Sequence, residues 1–128
     1  MTVLGPLARQ VAEMEAALGQ QEWGRAAEFL SPDIRYVVGG QEPRYGIAGI
    51  RDYMAAQSAV VEWVGHDLLA SVETADMVVI EVISRFCRVS DRRPLALPCT
   101  DIYRFGDGVI RDWRVYADLA AIGLGRPE

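Results

Sequence analysis

Apolar residues recur at helical spacing in the first half of the chain. Near the start they are separated by steps of four and three, which places them on one face of a helix: Val3, Leu7, Val11, Met14 and Leu18. A shorter second helix is predicted from about Glu22 to Leu30, and the "SPD" that follows ends it. From Ile47 to Met54 the helical spacing returns, so we predict a third helix there.

Strand patterns fill the rest of the chain. "IRYVV" (34–38) is typical of a strand, and from residue 63 onward the apolar period becomes two. Four β segments, 63–73, 77–89, 95–105 and 109–117, are separated by turns of hairpin length. Helices followed by a run of antiparallel strands predict an α+β fold in which a curved sheet wraps over helices. We expect one domain covering residues 1–128.

Composition and charge narrow the classes of function. The net charge of −5 argues against nucleic acid as a partner, because phosphate binding needs a surplus of basic residues. No apolar run approaches the roughly 20 residues that span a bilayer, and the first residues lack a secretion-signal pattern. We therefore expect no membrane partner and a cytoplasmic location.

The residue types also limit the chemistry. Without lysine the chain cannot form a Schiff base through a side-chain amine. The single histidine cannot build a three-histidine zinc site, and Cys87 and Cys99 are too far apart for a C-x-x-C motif. We predict reduced, small apolar cysteines and a function that needs no cofactor.

The stretch "TDIYRFGDGVIRDWRVYAD" (100–118) places a carboxyl group where a core strand normally carries Val or Ile. By alternation Asp101 shares a face with Cys99 and Tyr103. Burial on such a face raises the pKa of a carboxyl, which could then donate a proton. A contact with Arg85 would lower the pKa instead and make Asp101 a candidate base. The sequence leaves both alternatives open, and we favour the acid.

Strand alternation also predicts which residues line a pocket. We place Arg85 and Cys87 on the inner face of their strand, with Arg85 near Asp101. His66 is the one side chain whose ordinary pKa suits proton transfer at neutral pH, and its facing is left open. The remaining pocket residues are expected to be mainly apolar and aromatic: Met14, Tyr36, Val38, Cys99, Tyr103, Trp113 and Val115.

Two motifs resemble those of a known superfamily. "EPRYGIAGIRDYM" (42–54) is similar to the entry into the third helix of bacterial ketosteroid isomerases, and 100–118 is similar to the last hairpin of those enzymes and of SnoaL-type polyketide cyclases. The chain thus resembles the SnoaL-like, or nuclear-transport-factor-2-like, superfamily. The resemblance implies a cone-shaped α+β barrel in which three N-terminal helices pack in a strongly curved, mostly antiparallel sheet around an apolar pocket.

This chain matches only some of the catalytic residues of each enzyme family in the superfamily. Asp101 falls on the oxyanion-hole aspartate of the ketosteroid isomerases, whereas Val38 occupies the base position and Met14 the tyrosine position. The limonene epoxide hydrolases are matched at Arg85 and Tyr36. Their two carboxylates fall on Cys87 and Val115, and their asparagine on Val38. SnoaL-type cyclases are the closest analogy.

We therefore predict a cofactor-independent acid–base enzyme, a cyclase, isomerase or dehydratase acting on a small apolar metabolite of natural-product metabolism. Asp101 would be the acid, assisted by His66 or Arg85. The alternatives are an epoxide hydrolase and a non-catalytic ligand-binding homodimer. A homodimer is expected in any case, with Ile80, Val82 and Phe86 on an uncovered outer sheet face.

Overall fold

The computed structural model describes residues 3–124. The helices within this range are α1 (Pro6–Gly19), α2 (Trp23–Ala27) and α3 (Gly46–Ser58), and a 3-10 turn spans Leu119–Ile122. The strands are β1 (Leu30–Val38), β2 (Arg44–Tyr45), β3 (Val61–Glu73), β4 (Met77–Arg88), β5 (Pro94–Gly106) and β6 (Val109–Ala117). The predicted α+β order is confirmed, and none of these helices is long and apolar enough to cross a membrane.

The strands form one mixed sheet in the order β2-β1-β6-β5-β4-β3. All neighbouring pairs are antiparallel except β1 and β6, which run parallel, so the expectation of a mostly antiparallel sheet is confirmed. The second helix is shorter than predicted because Leu30 already pairs with Ile110 as part of the sheet. The two-residue strand β2 was not predicted, since so short a segment has no period.

Helix α1 packs on the inner face of this sheet. It buries Ala8, Val11, Met14, Ala17 and Leu18, and full burial of each larger apolar side chain stabilises the fold by about 1.5–3 kcal/mol. Its first turn is held by the last residue of β3, because the carboxylate of Glu73 accepts hydrogen bonds from the backbone N–H groups of Leu7 and Ala8, at 3.2 and 3.1 Å. The position of α1 along β3 is therefore fixed at its N-terminal end.

The two faces of β4 are the reverse of those predicted. Ile80, Val82 and Phe86 are buried on the inner face, and Asp101 pairs with Ile80. The hairpin to β5 closes with a hydrogen bond from the N–H of Arg88 to the carbonyl of Arg93. Alternation was predicted correctly, but a shift of one residue in register exchanges the faces of a strand. The three apolar residues assigned to a dimer contact are thus unavailable for it, and the homodimer itself stays a prediction.

Candidate active site

A cavity of about 110 Å³ lies between the inner face of the sheet and the helices. Seven of the predicted pocket residues line it: Tyr36, Val38, His66, Cys99, Asp101, Trp113 and Val115. The surrounding wall is mainly apolar, with Leu18, Val82 and Phe86 among its residues. The sheet thus brings together residues from five of its strands around one small space.

Asp101 is the central polar residue of this cavity. It is 7% exposed, and its Oδ2 accepts hydrogen bonds from the indole Nε1 of Trp113 at 3.0 Å and from the hydroxyl of Tyr103 at 3.2 Å. Among the described residues, none donates a hydrogen bond to Oδ1. One carboxyl oxygen is therefore held in place, and the other remains able to contact a ligand.

The environment of Asp101 tunes its ionisation. Burial raises the pKa of the carboxyl to about 6, against the opposing effect of the hydrogen bonds from Trp113 and Tyr103. The predicted direction of the shift is correct. The two hydrogen bonds that Oδ2 accepts favour the carboxylate form of Asp101, whereas the sequence favoured the protonated acid.

Glu15 is a second carboxyl in the cavity wall, and it was missed in the sequence. Its side chain is 13% exposed, and it contacts the Tyr103 hydroxyl through Oε2 and the Nε2 of His66 through Oε1, the latter at 3.5 Å. Burial, followed by the negative charge of Asp101, raises the pKa of Glu15 to about 8 in spite of the Tyr103 contact. Glu15 is therefore protonated at neutral pH.

Tyr103 connects the two carboxyl groups. Its hydroxyl carries one hydrogen and lies within hydrogen-bonding distance of both Glu15 and Asp101. With Glu15 protonated, the carboxyl of Glu15 donates to the Tyr103 oxygen, and Tyr103 donates to the Asp101 carboxylate. All contacts in the series are then satisfied, as a buried hydroxyl requires. Tyr103 was predicted to line the pocket, but it is fully buried beside the cavity and outside its lining.

A β-bulge in β3 determines the direction of His66. The register with β4 shifts between Trp63 and Gly65, and Gly65 has a φ of 145°. As a result Trp63 and His66 both reach the inner side, with ring centroids 5.9 Å apart, while Val64 is 67% exposed. Burial lowers the pKa of His66, which favours the neutral imidazole.

Aromatic rings pack next to these polar groups. Tyr36 lies against Trp113 with ring centroids 4.6 Å apart, and Trp113 stacks on Tyr103 at 5.1 Å. Tyr53 meets the edge of Tyr36 at 5.7 Å, and its hydroxyl is buried without a hydrogen-bond partner among residues 3–124. This packing holds the indole N–H of Trp113 in its direction toward Asp101.

Besides Tyr103, three further predicted site residues lie outside the cavity lining. Arg85 is on the outer face of β4, where it binds Oδ2 of Asp67 at 2.6 and 2.9 Å, and Cys87 shares that face. Met14 is fully buried in the core and does not line the cavity. The predicted position of Arg85 near Asp101 is therefore wrong, which removes the alternative of an ion pair between them, and the register described above is the reason.

The predicted role of the cysteines as small apolar groups fits the inner thiol. Burial raises the pKa of the Cys99 thiol, which keeps it protonated and weakly nucleophilic. Within residues 3–124, the structure contains no group of three or more His, Cys, Asp or Glu side chains placed to hold a metal ion.

Comparison with known proteins gives the family. The sequence model of the SnoaL-like domain matches residues 11–113. The chain belongs to the SnoaL-like family. A sequence search of the curated proteins finds no match.

Several solved structures share the fold of this chain at low sequence identity. An NTF2-like protein of unknown function from Burkholderia pseudomallei has a TM-score of 0.81 at 16% identity, over 91% of this chain and 94% of its own. TerC, co-crystallised with polyporic acid, has a TM-score of 0.77 at 16% identity, over 91% and 95%. A candidate polyketide cyclase from Pseudomonas putida has a TM-score of 0.74 at 16% identity, over 91% and 96%. These likenesses confirm the cone-type α+β fold.

Proposed function

We propose that this SnoaL-like protein is a cofactor-independent enzyme that transfers a proton next to a carbonyl group of a small, largely apolar metabolite. Removal of such a proton begins isomerisations, aldol-type cyclisations and many dehydrations. The observation that carries the proposal is the state of Asp101: a buried carboxylate with one oxygen held by two donors and the other free to contact a ligand in an apolar cavity.

Asp101 would act as the general base. Its pKa of about 6 is close enough to neutral pH for the carboxylate to predominate and still accept a proton readily. The two donors on Oδ2 restrict the rotation of the carboxyl group, which directs Oδ1 toward the ligand. A base placed in this way typically contributes about 10²–10⁴-fold to a rate.

Glu15 would supply the acid. Two carboxyl groups whose surroundings separate their pKa values, here about 6 and about 8, are a common basis for assigning a base and an acid. Glu15 lines the same cavity, and the proton that it shares with Tyr103 in the free protein can be donated to a bound ligand instead. After turnover, the proton that Asp101 has taken can return to Glu15 through the Tyr103 hydroxyl, which contacts both carboxyl groups.

Tyr36 would stabilise the negative oxygen of the intermediate. Burial raises the pKa of its phenol well above the usual value of 10, so the hydroxyl keeps its proton and remains a donor. A hydrogen-bond donor in a site with little water stabilises a developing enolate oxygen strongly. The assisting role that the sequence predicts for Arg85 is not part of this mechanism.

The relatives support this class of chemistry. A candidate polyketide cyclase is among the proteins of the same fold, and TerC was crystallised with polyporic acid. These likenesses concern the fold, and the reaction proposed for this chain rests on its own carboxyl groups.

Proton exchange in deuterated water tests the proposal without knowledge of the final product. The protein is incubated in D₂O with a panel of polyketide, terpenoid and steroid ketones, and loss of the proton signal next to each carbonyl is followed by NMR. We expect exchange with at least one ketone class to fall about 100-fold or more in Asp101→Asn, with ligand affinity nearly unchanged. Arg85→Ala, on the outer face, is the matched control.

The same measurement separates the alternatives. A ligand-binding protein without catalysis would bind ketones and exchange no protons in either variant. An epoxide hydrolase would instead incorporate labelled water into a diol. Equal exchange rates for the wild type and Asp101→Asn would overturn the role of Asp101.

A further inference from the structure

A groove between α1 and β3 lies next to the cavity and is larger than it. This space, the α1–β3 groove, has a volume of about 430 Å³, compared with about 110 Å³ for the cavity. Its walls include Ala12 and Ala16 of α1 and Val64 and Leu68 of β3. We propose that the groove is the second compartment of the same ligand site, and that the substrate carries an apolar extension that occupies it.

The two spaces are separated by one layer of side chains. Glu15, Trp63 and His66 line the cavity and the groove alike. A ligand whose reactive end contacts Asp101 is therefore a single side chain away from the groove. The inference rests on the proposed function only in taking the cavity as the place of the reactive carbonyl.

Local backbone geometry gives this layer its shape. The bulge at Gly65 turns both Trp63 and His66 inward, and bulges occur preferentially beside active sites. The indole of Trp63 lies over Gly19 at the end of α1, where an added Cβ would be 3.1 Å from the ring. Trp63 is only partly buried and has no hydrogen bond to another side chain of the described residues, so a ligand that displaces its ring breaks no side-chain hydrogen bond.

The size and chemistry of the groove define its occupant. Sites for small molecules usually have volumes of roughly 300–1,000 Å³, a range that the cavity alone does not reach. Of the residues lining the groove, only Glu15 and His66 ionise, and both belong to the separating layer, where burial favours the neutral form of each. An uncharged alkyl or aryl extension of a ketone matches these walls.

A series of ketones of increasing length tests the proposal. Binding constants are measured by calorimetry for n-alkyl phenyl ketones from acetophenone to octanophenone. We expect each added methylene beyond the first few to tighten binding about threefold to fourfold, the effect of burying a methylene group. An extension that instead left the cavity into water would give constant affinity along the series and overturn the proposal, as would failure of the whole series to bind at millimolar concentration.

Filling the groove gives the matched variant. Ala16 is exposed and lines only the groove, so Ala16→Trp should weaken octanophenone at least tenfold and leave acetophenone unchanged. Ala55→Trp, at an exposed site on α3 outside both spaces, is the control for an added indole. Ala12→Trp is a second groove variant in case Ala16→Trp does not fold. Equal weakening of short and long ketones, or of neither, would overturn the inference.

The outcome is separable from that of the proposed function. Acetophenone exchange in D₂O reports on Asp101 and should be unaffected by Ala16→Trp. If affinity does not depend on alkyl length but acetophenone still exchanges its protons, only the groove compartment is refuted. If affinity rises with alkyl length but neither the wild type nor any variant exchanges protons, only the proposed reaction is refuted.

Discussion

Trp113 donates its indole N–H to Oδ2 of Asp101 at 3.0 Å, from the neighbouring strand β6. The pairing of β5 with β6 sets Trp113 opposite Tyr103 and Asp101 opposite Val115, so both donors to the carboxylate lie two residue pairs along the ladder, on the same face of the sheet. The stack of Tyr103 on Trp113 then fixes the two donors relative to each other. Sheet register, rather than a flexible loop, orients the proposed base.

Replacing Trp113 should shift the pH dependence of activity. Trp113→Phe removes a donor that stabilises the Asp101 anion, and a hydrogen bond to a charged group contributes about 1.5–3 kcal/mol. We expect the pKa of Asp101 to rise from about 6 by about one unit or more, which moves the acidic limb of the exchange-rate profile to higher pH. Carbon NMR of labelled aspartate measures the pKa directly, and an unchanged limb would contradict the base assignment.

Glu15 should make the protein less stable as the pH rises. Burial raises the pKa of Glu15 from 4.5 to about 8, so the folded chain binds more protons than the unfolded chain between these values. Stability present below about pH 4.5 is then lost progressively up to pH 8. Asp101 acts in the same direction between 3.8 and about 6.

Glu15→Gln keeps the shape of the protonated acid and removes the loss of folding stability at high pH. We expect the variant to melt roughly 5 °C or more above the wild type at pH 8.5 and close to it at pH 5. Calorimetric melting at both pH values gives the comparison. A variant that is equally destabilised at both would show that Glu15 contributes packing alone.

Tyr53→Phe should stabilise the ligand-free protein or leave it unchanged. The hydroxyl of Tyr53 is buried without a partner among the described residues, a situation that costs about 1–3 kcal/mol. The ring keeps its contact with Tyr36 and with the guanidinium of Arg44, 5.3 Å from its centre. Urea unfolding of both proteins provides the test, and destabilisation above about 1 kcal/mol would reveal a bound partner such as water.

Arg85→Ala should have almost no effect. Arg85 and Asp67 are 53% and 55% exposed, and a surface ion pair contributes about 0.2–1 kcal/mol. We expect a small change in the free energy of unfolding and an unaltered rate of ketone exchange. A large fall in exchange would place Arg85 in the chemistry after all.

The sequence predicts the strands and the buried acid because both depend on local alternation. Asp101 and Trp113 were assigned to the pocket from period-two patterns, and both line the cavity. Arg85 was assigned to the wrong face of β4. The face on which a residue lies depends on the register with β5, which is set by how the hairpin turn closes and not by alternation. His66 was left open because the bulge at Gly65 interrupts alternation.

Glu15 shows a different limit of sequence interpretation. It lies between buried Met14 and exposed Ala16 on α1, at the border of the apolar face. A charged residue at such a border usually points to water. Its four-residue spacing from buried Val11 is a signal, but only the placement of α1 against Tyr103 shows that the side chain is enclosed.

Glu73 lies at the end of β3, far along the chain from the proposed base and acid, yet it anchors the first turn of the helix that carries Glu15. The spacing of the two carboxyl groups is therefore set by tertiary architecture. Transplanting the last hairpin into another scaffold would carry over the base and its donors but leave the acid behind.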